Sequence, residues 1–151
     1  IIDSKGKFLR STYSDQMDLR RATYGQCILV QPSTVFKSSI FRKVGGFNED
    51  NLISWDGELF IDFAAASAKF KTFKKNVSQF RITNTSITGS GLSLNRIVKE
   101  QKRIFKKINK RNPSIFFGLI SFLFRLQRKF LNINDTLERL LYGRISGRFF
   151  K

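Results

Sequence analysis

The sequence predicts an α/β arrangement followed by a basic helical tail, on three observations. The run "CILVQPSTVF" (27–36) is β-branched and apolar and reads as one strand broken or ended by Pro32, because a proline inside a strand implies an edge or a bulge. In "GELFIDFAAASAKF" (57–70), Leu59, Phe60, Phe63, Ala64, Ala66 and Phe70 recur at helical spacing with Asp62 on the other face. From about Leu92 onward, apolar residues recur at helical intervals among lysines and arginines.

The remaining elements follow in order. The opening "IIDSKGKF" reads as the end of a strand entering a turn, and residue 1 is Ile rather than Met, so the chain is expected to be a fragment of a longer one. "KSSIFRKVGG" reads as a short helix closed by Gly45, since glycine takes the left-handed conformation that ends helices, with Phe47 packing back under the cap. "FKTFKKNVSQFRIT" (70–83) suggests one or two strands with basic residues facing solvent, and "NTSITGSGLS" (84–93) a loop. "LNRIVKEQKRIFKKINK" is a helix carrying Leu94, Ile97, Ile104, Phe105 and Ile108, Pro113 separates it from an aromatic run, and "NDTLERLLYGR" is a last helix starting at an Asn/Asp cap. The expected division is 1–91 and 92–151.

Charge is distributed unevenly. Residues 1–68 hold eight Lys/Arg and eight Asp/Glu, whereas 69–151 hold twenty against three, so the second part carries the whole formal excess of +17. Such a field attracts phosphate on nucleic acid, lipid or small molecules without choosing among them. The single Cys27 excludes an internal disulfide and reads as a buried small hydrophobe; with no histidine, a Ser-His-Asp triad, a histidine base and a Cys/His metal cluster are excluded. Catalysis would have to rest on carboxylates. The longest apolar run, "SIFFGLISFLF", has 11 residues, too few for a membrane-spanning helix.

Five of the eleven acidic residues fall between Gly45 and Asp62, around "GGFNEDNLISWDGELF". Glu49 and Asp50 read as solvated loop charges. Asp56 at a helix start has two readings: a cap that accepts backbone N–H groups, or an exposed acid beside the aromatic face of Trp55. Carboxylate next to aromatic surface suits a sugar ring, whose apolar face stacks while its hydroxyls find acceptors; core packing is the competing reading for Trp55.

The stretch "ILVQPSTVFKSSIFRKVGGFNEDNLISWDGELFIDFAAASAKF" resembles, in order and over its full length, the acceptor-side half of bacterial family 2 glycosyltransferases of the GT-A fold. "FRITNTSITGSG" extends the likeness to that family's R-x-H-x-x-S-x-T segment, and residues 1 to about 100 are covered. The resemblance implies the C-terminal portion of a Rossmann-like, mixed-sheet domain followed by basic amphipathic helices. It implies an inverting transfer of sugar from a nucleotide-sugar donor to the hydroxyl of a saccharide or lipid-linked acceptor, in cell-surface polysaccharide or lipopolysaccharide synthesis. Asp56 matches the family's general base, and Glu58 its second acid, which with Trp55 would orient the acceptor or the helix. A divalent metal, Mg or Mn, is implied with its ligands mainly upstream of Ile1. Thr83 stands where the family commonly has a histidine near metal and diphosphate, leaving Arg81 for the phosphates or implying weak donor binding; Arg81 also reads as a plain strand charge.

The segment 92–151 combines clustered Lys/Arg with Phe116, Phe117, Leu119, Ile120, Phe122, Leu123 and Phe124, the composition of a helix lying in an anionic membrane interface. An enzyme placed peripherally on the inner face of a bacterial cytoplasmic membrane would fit it; packing of these aromatics on the sheet is the competing reading. Two alternatives stand beside the enzyme. One is a non-catalytic basic module binding nucleic acid or anionic membrane surfaces, although no specific nucleic-acid signature is present. The other is an inactive relative that has lost donor binding.

Overall fold

In the computed structural model, residues 1–73, 75–83 and 94–143 are described. Among them stand six α-helices: α1 (Leu19–Thr23), α2 (Ser38–Lys43), α3 (Trp55–Ala65), α4 (Leu94–Asn109), α5 (Phe117–Leu131) and α6 (Ile133–Tyr142). A 3-10 turn, Gln31–Ser33, lies between α1 and α2. Among the described residues there is no strand; bridging is confined to Ile2, which pairs antiparallel with Phe8 and parallel with Arg81. The α/β expectation, and with it the mixed sheet of a GT-A domain, is therefore corrected to a helical architecture.

The correction has a physical reason. A strand exists only where a neighbour continues its ladder, and β-branched composition cannot supply that neighbour. In the 27–30 stretch, Ile28 N–H donates to the Asp15 carboxylate at 2.7 Å and Val30 N–H to the Ser14 hydroxyl at 2.9 Å, so side chains take both donors, while Ile28 O accepts one isolated backbone bond from Asp15 N–H at 2.9 Å. Pro32 then sits in the first turn of the 3-10 element, for which its fixed φ is suited. Among the described residues of the 70–83 segment only the ends of one tripeptide pair: Ile2 N–H donates to Phe80 O and Ile82 N–H to Ile2 O, both at 3.0 Å. The 84–93 loop lies outside the described residues.

The helices form largely where the spacing placed them. α2 ends in a tight return: Gly45 and Gly46 have φ of +84° and +81°, and Gly46 N–H donates to Phe41 O at 3.0 Å. A Cβ on Gly46 would meet the Phe41 ring at 3.2 Å, so both conformation and space favour glycine. Phe47 packs back edge-on against Phe41, ring centroids 5.1 Å apart. α6 is capped by Asn132, which accepts from Asp135 N–H; the helix thus begins just before the Asn134 start expected from sequence.

Among the described residues three apolar clusters make the core, and the basic helices complete two of them. Ala22 of α1, Ile61 of α3 and Ile104 of α4 meet in one, with Cys27 half-buried at its edge. Tyr24, Phe105 and Phe117 meet in the second, the Tyr24 ring lying 5.0 Å from Phe105 and 4.9 Å from Phe117. Leu59, Phe60 and Phe63 of α3 form the third. Burial of Ile104 and Phe105 contributes about 2–3 kcal/mol each. The Gln101 amide also donates to the carbonyls of Ala22 and Thr23 at the end of α1. Residues of α4 and α5 thus share two apolar clusters with the N-terminal part of the chain.

A buried ionic knot holds α6. Asp135 accepts from Arg139 at 2.7 Å, Arg128 at 3.1 Å and Thr12 at 3.0 Å, and faces Arg10 at 3.4 Å. Arg128 also binds Asp15 at 2.6 Å, linking α5 to the N-terminal segment. Asp135→Ala is expected to cost about 3–5 kcal/mol, because it leaves the buried Arg10 guanidinium without its carboxylate. Urea unfolding followed by circular dichroism measures it; a loss within the range of an ordinary surface substitution would show the knot to be dispensable.

Candidate functional site

The acidic loop and the start of α3 form the candidate site, and one carboxylate organises both. Glu58 is 1 % exposed. Asn48 donates to its two oxygens at 3.2 and 3.1 Å, and Asn51 donates to it at 2.7 Å. The Asn51 carbonyl oxygen turns back to accept from the N–H groups of Ile53 and Ser54. From α4, Lys107 binds Glu58 at 3.0 Å and Asp62 at 2.7 Å, and Arg103 ion-pairs with Glu58 and Glu100. The 48–51 loop, α3 and α4 are tied at one point.

Asp56 is treated differently by the same turn of helix. Its Oδ1 accepts from Gly57 N–H at 2.8 Å, while Oδ2 has no hydrogen-bond or ion-pair partner among the described residues. The half-buried carboxylate lines a cleft of about 30 Å³ with Gln31, Thr34, Phe36, Phe47 and Trp55. Space of that size admits a water or a single hydroxyl group rather than a sugar ring. The ring of a larger ligand would lie across the mouth, where Phe47 and Trp55 meet edge to face at 5.0 Å.

Beside this cleft runs a much larger groove of about 830 Å³, walled by Val35, Phe63, Phe70, Phe73 and Phe80 among others. The two share Thr34, Phe36 and Phe60. The groove's size lies in the range of small-molecule sites, but the Asp56 carboxylate is not on its wall.

Trp55 and Asp56 thus line the same cleft. Glu58 points away, into the loop and α4. Arg81 lines neither cavity: its guanidinium donates to the carbonyls of Asp3 at 3.2 Å and Ser4 at 2.9 Å and pins the opening turn. Thr83 is half-buried, and the rest of the R-x-H-x-x-S-x-T likeness falls in 84–93, outside the described residues. Glu49 and Asp50 are exposed. Asn48, Asn51, Arg103 and Lys107 escaped sequence reasoning as members of the site. The spacing of Arg103 and Lys107, one helical turn apart, was the available signal, but it reads equally as a solvated basic face. Among the described residues no group of three or more acidic, Cys or His side chains converges, so the divalent ion implied by the resemblance has no donor set there and no step is derived through it.

Fold and site together define a basic helical chain that presents a carboxylate beside an aromatic wall. No family model, curated protein or solved structure matches it.

Burial alone would raise the pKa of Glu58, but hydrogen bonds from Arg103, Asn51 and Lys107 outweigh it and hold the carboxyl at about 2, below its ordinary 4.5. A depressed folded-state value means stability present above pH 4.5 and lost as pH falls through about 2. The loss is at most about 3 kcal/mol from this group. Denaturation midpoints measured between pH 5 and 2 should fall, and Glu58→Gln should flatten part of the slope. An unchanged slope in that variant would contradict the assignment.

Proposed function

We propose that the chain carries the acceptor end of an inverting glycosyltransferase, with Asp56 as the general base. The observation that supports this is the uncommitted Asp56 oxygen at a cleft sized for one hydroxyl, next to the aromatic face of Trp55 and Phe47. As the acceptor oxygen attacks the anomeric carbon, its proton passes to Asp56 and the bond from that carbon to the nucleoside diphosphate breaks, the diphosphate leaving with the electron pair. The order of motifs from "QPST" through "GGF" to "WDGEL" gives independent support. This reading rests on the cleft and the motif order, not on a mixed sheet. Glu58 serves it by holding α3 at a fixed angle to the loop, and the acceptor class is a saccharide or a lipid-linked saccharide. The test uses the native polypeptide containing this chain, supplied with nucleotide sugar and a divalent metal.

Turnover is read as nucleoside diphosphate freed from a panel of nucleotide sugars with glycolipid acceptors. Asp56→Asn should lower kcat about 10²–10⁴-fold with unchanged circular dichroism. Trp55→Ala should raise the acceptor KM about three- to tenfold. Turnover that survives Asp56→Asn unchanged would falsify the base assignment.

A further inference from the structure

The structure assigns a second surface, independent of sugar transfer: the outward face of α5 and α6 is a docking surface for anionic lipid. α6 sits on the protein with its polar side. Asp135 enters the ionic knot, and Glu138 accepts from Ser11 N–H at 2.8 Å, while Ile133, Leu137 and Leu140 on the opposite side are exposed. A helix folded for water does the reverse. α5 has apolar residues on both sides. Phe117, Ile120 and Phe124 pack around Tyr24, whereas Leu119, Leu123, Leu126 and Phe130 follow one another at helical spacing and remain exposed, Phe130 by 82 %.

Large apolar side chains stand exposed along both helices, and clustered exposed apolar surface marks an interaction site. Charge selects its occupant. Arg125 and Lys129 of α5 flank the apolar stripe, and the exposed Lys99, Lys102 and Lys106 follow one another along α4. Every acid of these helices is already engaged: Glu100 by Arg103, Asp135 by three arginines, Glu138 by the Ser11 backbone. The remaining surface charge is cationic. A second copy would set +17 against +17, and a nucleic acid would leave the apolar stripes in water. A membrane surface of anionic headgroups over acyl chains matches both features at once. Since no described helix is long and apolar enough to cross a bilayer, the helices lie in the interface.

The experiment is flotation of the polypeptide with phosphatidylcholine vesicles prepared with and without phosphatidylglycerol, at low and high salt. Binding is expected on the anionic vesicles, weakened by salt and absent from neutral ones. The double variant Leu123→Ser with Phe130→Ser, at exposed positions that spare the core, should reduce partition about tenfold or more. Arg125→Glu with Lys129→Glu should reduce it as well. No flotation at low salt, or flotation indifferent to both double variants, overturns the proposal. Sedimentation of a dimer that Leu123→Ser with Phe130→Ser dissociates, without vesicle binding, would assign the face to a second copy instead.

Discussion

The buried carboxylate of Glu58 is the constraint on which the candidate site depends. Removing a carboxylate from water is unfavourable unless charge and hydrogen bonds replace the solvent, and Asn48, Asn51, Arg103 and Lys107 supply that replacement together. The four donors come from two places far apart in sequence, the loop before α3 and the middle of α4. Satisfying one anion therefore fixes the loop, the entry angle of α3 and the docking of α4. Trp55 and Asp56 inherit their positions from that arrangement.

Two acids two residues apart consequently have opposite fates. On a helix, positions i and i+2 do not share a face. Glu58 faces inward and spends all its lone pairs on the fold, whereas Asp56 faces the cleft with one oxygen uncommitted. A carboxylate that serves the fold cannot also accept a proton from a ligand without loosening it. The division leaves one Asp56 oxygen uncommitted while Glu58 is held by the fold.

The basic helices carry the same logic to the surface. A few of their charges are consumed in holding α4 to α3 through Glu58, α5 to the N-terminal segment through Asp15, and α6 to that segment through Asp135 and Glu138. What is left outside is cationic and apolar. The sequence shows the excess charge and the aromatic run, but only the docking of α6 through Asp135 and Glu138 decides that its leucines face outward.

By itself the sequence determined the local features: helices where apolar residues recur at helical spacing, the glycine return with Phe47 beneath it, the position of Asp56 at the start of α3, and the concentration of positive charge after residue 68. These depend on neighbours within a few residues, so pattern suffices. Tertiary structure decided what depends on distant partners. The β-branched run at 27–36 and the segment at 70–83 did not become strands, because among the described residues no neighbouring strand continues their pairing, and side chains or isolated backbone contacts to Asp15 and Ile2 take the bonds instead. Arg103 and Lys107 became the partners of Glu58 for the converse reason: about 45 residues of separation are invisible to periodicity, yet a buried anion had to be met by cations from somewhere in the chain.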